Sequence, residues 1–486
     1  MKRKSISAVC FAGLLWGCIA CTPVPRHVEV VKEAVPMAPD YTDIAIPYNI
    51  APLNFMLAGE VDASRVCIYG ERDSLVVNGT DEVRFSIGDW KKFLSREKGK
   101  ALTVKVTAEV NGRWLQYPLF SWYVTPEPVD SYMSYRLIEP GYEVWNMLQL
   151  RERNLENFDE RVIADNNLAE GNCMNCHIYG KQSGNLSMFH LRGEKGGTIL
   201  NRDGKLRKLA LKNDSMVSGA VYGDFHPSGR YAVFSSNVII PAFHAEGNKR
   251  LEVYDTASGL AIADLDNNRM IVSEATNRKD VFETFPTFSA DGKWVYYCAA
   301  PVVALPDSLR RLKYSLCRIA FDEAKGEWGN RVDTLWSAAR QGGSVCFPKA
   351  SPDGNYLLFT VAGYGTFPIW HRETDLRLLD LHTGRVDSLQ AVNSDRSDTY
   401  HSWASNSRWF AFASKRGDGQ YGRPYLAYVD KEGKAYKPFV MPQKDPGYYK
   451  TLLKSYNIPE LSATPVSFDA IAIKRIYEQA EAEVFK

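Results

Sequence analysis

Four short segments limit what this chain can fold into. Phe225-His226-Pro227-Ser228-Gly229, Phe288-Ser289-Ala290-Asp291-Gly292, Ala350-Ser351-Pro352-Asp353-Gly354 and Trp403-Ala404-Ser405-Asn406-Ser407 align on one turn position. Seven residues before that position stand Tyr222, Phe285, Phe347 and Tyr400. Two after it stand Tyr231, Trp294, Tyr356 and Trp409, and five after it Phe234, Tyr297, Phe359 and Phe412. Agreement in residue type on both sides of the turn marks a repeat. Each unit reads as an aromatic strand, a tight turn and an alternating return strand. A second pair of strands follows, as in Leu251–Asp255 with Ala261–Ala263. Four-stranded units repeated radially make a β-propeller.

The Ser-Pro-Asp-Gly turn at Ser351–Gly354, followed by an apolar strand, resembles the TolB-like, WD40-like propeller repeat. The resemblance covers residues 196–468 and implies a propeller of the bacterial cell envelope; four blades are legible and five or six are expected in total. It departs in its long blades and in the degenerate Asn406-Ser407 turn. Gly196–Leu211 reads as the outer strands of a further blade.

Upstream lies Cys173-Met174-Asn175-Cys176-His177, a C-x-x-C-H run. Its thiols have the spacing for thioether attachment of one haem c, with His177 as proximal iron ligand. His190 or Met188 is the expected distal ligand, with His226 or His401 of the propeller as further options. A zinc site would need a second ligand pair, which does not follow.

The chain opens with Met1-Lys2-Arg3-Lys4 and an apolar run from Ile6 to Leu15, a signal-peptide pattern too short to span a membrane. Small residues before a Cys suggest a lipoprotein cleavage site, with Cys21 (or Cys18) lipidated. This predicts an exported, membrane-anchored envelope protein, and export is what covalent haem attachment requires. Residues 1–20 are then the signal and 21–40 a Pro-containing tether. Residues 41–126 alternate in strand fashion and predict a small immunoglobulin-like β-sandwich. Residues 127–195 predict a helical connector carrying the haem motif. Its stripe is Val144, Trp145, Leu148 and Leu155 between Tyr142 and Phe158. Residues 469–486 predict a C-terminal helix.

A net charge of +2 leaves no footprint for nucleic acid. Cys298 and Cys317 sit where neighbouring strands would let them bridge; otherwise they, Cys67 and Cys346 are buried thiols. Glu283 and Asp398 occupy one repeat offset, with His401 nearby, and are candidates to line a channel mouth. There is no G-x-S-x-G elbow, P-loop, dinucleotide fingerprint or H-E-x-x-H. The expected function is therefore electron transfer or redox sensing by a mainly β haem protein, with the propeller as platform for a protein or redox partner. The alternatives are a non-redox envelope scaffold with a structural C-x-x-C-H, and a haem enzyme such as a peroxidase.

Overall fold

The computed structural model describes residues 27–139, 147–243 and 251–486. The signal and lipidation positions, including Cys18 and Cys21, lie outside them, as do Tyr142, Val144 and Trp145 of the expected helix.

The fold is mainly β and propeller-like. Six sheets follow one plan. Sheet A runs Met174–Tyr179, Leu186–Leu191, Gly197–Arg202 and Lys205–Ala210, with Glu483–Val484 added in parallel at its edge. Sheet B is Ala220–Phe225, Tyr231–Phe243, Leu251–Asp264 and Arg269–Val272. Sheets C, D and E begin at Val281–Phe288, Ser344–Ala350 and Asp398–Trp403. Sheet F is closed by both ends of the chain: its inner strand, Ser455–Ser462, pairs with Tyr132–Ile138, which leads outward to Leu148–Asn154 and Glu160–Asp165. Each inner strand neighbours the next, and that of sheet F neighbours that of sheet A, so the inner strands form a closed ring.

The connector expectation is therefore corrected. Leu148–Asn154 and Glu160–Asp165 are strands, and Met174–Tyr179, which carries most of the C-x-x-C-H run, is the inner strand of sheet A. Leu148, Leu150 and Glu152 are buried in strand alternation. Period two serves a sheet face here, where the Leu148–Leu155 spacing suggested period 3.6.

The repeated aromatics have a structural cause. In sheets B to F the inner strand slips register by a bulge, at Tyr222, Phe285, Phe347, Tyr400 and Ile458, whose φ angles are +46°, +51°, +52°, +49° and +53°. Sheet A slips at the same place, between Asn175 and Ile178. A bulge re-aims its side chain, here toward the axis of the ring. Phe285 packs edge-on against Tyr222 at 5.1 Å and tilted against Phe347 at 4.3 Å, and Phe347 reaches Tyr400 at 4.6 Å. Phe367, from the loop after Tyr356–Ala362, fits among them. The aromatics plug the channel, and burying them offsets strain of about 1–3 kcal/mol per unusual φ.

Residues 27–125 form a seven-stranded sheet, a three-stranded sheet and a helix at Ile87–Arg96. Trp90 and Trp122 share one core with Trp409, Phe439 and Tyr456, so this part packs onto sheets E and F. Ala470–Gln479 is helical, capped by the Asp469 side chain. Cys298, Cys317 and Cys346 are buried free thiols, as is Cys67, so Cys298 and Cys317 do not bridge.

Candidate functional site

His177 is the first residue beyond the bulge of sheet A, a position held by Pro286, Pro348 and His401 in sheets C, D and E. It faces the seam between sheets A and F and is only 5% exposed. Ser134, Leu150, Ile163, Tyr179, Met188, Phe189 and Phe468 close around it, leaving a cavity of about 10 Å³. Burial, with Arg136 nearby, holds its pKa down at about 4. The carbonyls of Ile458 and Ser134 pull weakly the other way, but neither ring nitrogen has a partner in hydrogen-bond geometry.

These residues do not fit a haem. A ligand of that size needs a pocket of about 300 Å³ or more. Cys173 is half-buried, and the Cys176 side chain lies outside the described residues. Met188 is buried and His190 half-buried on the adjacent strand, paired in register with Ile178 and Asn175. They stand in one sheet with His177, not across a plane from it. Among the described residues, no three His, Cys, Asp or Glu side chains gather as a metal site. The expectation of a haem electron carrier or redox sensor is corrected accordingly, and the peroxidase alternative falls with it.

Glu283, Asp398 and His401 do not meet at a channel mouth. Glu283 is sealed between sheets B and C, its amide taking the Ser258 hydroxyl as acceptor at 2.9 Å, and burial pushes its pKa up to about 8. Asp398 is fully buried and accepts from Arg416 at 2.9 Å and from the Ser394 hydroxyl. His401 shares a hydrogen bond with the Leu358 carbonyl at 2.9 Å and is held down at about 3 by burial. His226 pairs through Nδ1 with Ser228 in its own turn. All of these serve seams and turns of the ring.

One polar layer does reach the axis. Two residues beyond the bulges stand Asp224, Thr287, Lys349 and Glu460. The Lys349 ammonium lies 3.8 Å from Asp224, and Thr287 donates to the same carboxylate. Burial pushes Glu460 up to about 7, against the pull of Lys349.

A cleft of ligand size lies elsewhere, where the start of sheet B's inner strand meets the loop after Leu186–Leu191. It encloses about 380 Å³, lined by His190, Arg192, Ser218, Tyr222, Asn237 and Ile239 among others. The His190 Nδ1 meets the Thr198 hydroxyl at 3.2 Å, which leaves Nε2 for the cleft. Burial, with Arg192 beside it, lowers its pKa to about 4, so the ring is a neutral base at ordinary pH. The Asn237 amide is fixed by donating to Asp255 at 2.8 Å and Thr284 at 3.1 Å.

The C-x-x-C-H segment supports this cleft from behind. The Arg192 amide donates to the Cys173 carbonyl at 3.0 Å. Gly193 has φ +107°, and a Cβ there would lie 2.7 Å from the Asn172 amide nitrogen. Sequence reasoning found His190 but assigned it to iron, and missed Arg192. The available signal was a cation set in a glycine-rich loop, Arg192-Gly193-Glu194-Lys195-Gly196-Gly197.

No protein-family model matches the chain, and no curated protein matches it. Among solved structures it is similar to the tricorn protease, at 13% identity and TM-score 0.36, covering 83% of this chain and 36% of that one. It is similar to prolyl oligopeptidase B from Galerina marginata, at 11% identity and TM-score 0.36, covering 69% of this chain and 42% of that one. A DUF4784 family protein from Bacteroides caccae gives 9% identity and TM-score 0.31, covering 85% of this chain and 98% of that one. The chain thus spans less than half the length of these two peptidases, and likeness of this degree assigns neither family nor activity.

Proposed function

We propose that the cleft over His190 is the working site and that it hydrolyses a small molecule. The observation that carries this reading is a neutral, half-buried imidazole, oriented by Thr198, opening on a cleft of about 380 Å³. That volume suits a small molecule. His190 Nε2 takes a proton from water as its oxygen attacks the substrate's acyl carbon. The same proton then passes to the departing oxygen or nitrogen as the acyl bond breaks, so one water is consumed and His190 is restored. Asn237 and Ser218 line the bound substrate's polar side, and Tyr222 closes the inner end against the plug.

The fold reading within this proposal is a six-bladed propeller closed by both chain ends. Export with a lipid anchor at Cys21 (or Cys18) also belongs to it, supported by the basic start and apolar run of residues 1–21, and intact mass of the mature protein tests it. Among the described residues, no helix is long and apolar enough to cross a membrane.

The functional test is a panel of small lactones, esters and aminoacyl anilides. Turnover that His190→Gln abolishes, and that in wild type declines below about pH 4 as the imidazole protonates, supports the reading. Turnover indifferent to His190→Gln contradicts it.

A further inference from the structure

We infer that the molecule taken by this cleft carries an anionic oxygen group, carboxylate or phosphate, on an apolar body. The inference rests on the cleft being the working site and names what that site selects.

Charge is the first ground. The residues lining the cleft include Arg192 and no aspartate or glutamate. Arg192 is exposed, and its guanidinium has no ion-pair partner among the described residues, whereas most arginines of the surrounding sheets are paired, as Arg202 is with Asp266 and Arg207 with Glu483. Among the described residues, the cleft wall therefore carries one cation and no acid. A guanidinium offers a planar fork that matches the two oxygens of a carboxylate or phosphate. The neighbouring imidazole is neutral, so it adds no competing charge.

Position is the second ground. Arg192 is two residues beyond His190, and its backbone is tied to Cys173, so the cation is held beside the base. Its electrostatic influence on His190 is direct, since it is one of the two causes of the lowered imidazole pKa. An anion seated on Arg192 thus lies next to the atom that handles the proton.

The third ground is the opposite wall. Val221, the Tyr222 ring and Ile239 of sheet B form an apolar face. An apolar body lies against this wall while the head group faces Arg192.

The test uses the full-length protein and three probes by calorimetry: phenylacetate, phenyl phosphate and neutral phenylacetamide. The inference expects one or both anions to bind about tenfold more tightly than the amide, and Arg192→Gln to bring them down to the level of the amide, as expected for loss of a partly exposed charge-assisted contact. Arg192→Lys should recover part of the difference. The better anion identifies the head group. Equal affinity for all three probes, or anion binding unchanged in Arg192→Gln, overturns the inference. Ile239→Glu, which puts an acid on the apolar wall, separates it from the reading it rests on. If the amide matches the anions and all three fail in Ile239→Glu, the cleft stands and anion selection is wrong. If no probe binds, or Ile239→Glu changes nothing, both are wrong.

Discussion

Two histidines on adjacent strands of sheet A have opposite fates. His177 is sealed in the seam with sheet F beside a void of about 10 Å³, with neither nitrogen partnered. His190 is half-buried, bonded through one nitrogen, and faces a cleft of about 380 Å³. Burial holds both neutral, with a pKa near 4 in each case. The difference lies in access. A depressed pKa marks a chemical site only where a second molecule can reach the ring. His177 of the C-x-x-C-H run lies on the sealed side of this divide, and the Cys173 carbonyl buttresses the loop that carries Arg192.

The largest effect should come from the open histidine. His190→Gln keeps the shape and a hydrogen bond to Thr198 but removes the base, so turnover should drop about 10²- to 10⁴-fold in steady-state assays. An equal loss in His177→Gln would break the contrast.

Next come the groups that seal the interior. Phe285→Ala opens a hole in the channel plug and should cost about 3–5 kcal/mol in denaturant unfolding. A cost below ~1 kcal/mol would mean that the plug is not a packed unit.

Glu283 is the acidic counterpart of the sealed histidine. Its folded pKa, about 8, stands above its ordinary value of 4.5, because burial disfavours the charge. Folding therefore favours the protonated form. Stability from this group is fully present below about pH 4.5 and is lost as pH rises through about 8. The loss is on the order of a few kcal/mol. Glu283→Gln should flatten this part of the stability profile, read from melting temperatures at pH 5 and pH 8. A wild-type profile equally flat across that window contradicts the burial argument.

The smallest effect belongs to the sealed histidine. His177→Leu replaces an unpartnered buried ring with an apolar side chain, so stability should change by no more than about 1 kcal/mol, in either direction. Turnover should be unaltered. Large destabilisation would point to a hydrogen bond at His177 that the packing does not contain.

What the sequence disclosed follows from how local each feature is. The aromatic positions before each turn were legible because sheets B to E each set an aromatic at the same bulge. Their positive φ was not, since Tyr and Phe give no local sign of a left-handed backbone. Sheet F escaped notice because its strands are joined across the whole chain, Ser455–Ser462 to Tyr132–Ile138, and Ser455–Ser462 lacks the Asp-Gly turn. The apparent helix arose because Leu148 and Leu155 fall on a helical stripe, although only Leu148 lies in the strand. At the site, His190 stood out as a rare residue, but the neighbouring C-x-x-C-H drew it into a reading about iron. Spacing alone does not tell a sealed strand from an open loop. Arg192 gained meaning only once the fold set it beside His190 on a cleft wall with no acid among its described lining residues.

The central claim is that the work is done in the His190 cleft and not at the C-x-x-C-H run. The direct measurement is turnover on one substrate by the wild type, by His190→Gln and by the double variant Cys173→Ser, Cys176→Ser, each verified as folded by its thermal transition. The account predicts that the double variant stays within about threefold of wild type while His190→Gln loses at least about 100-fold. Activity lost in the cysteine variant and kept in His190→Gln would contradict it.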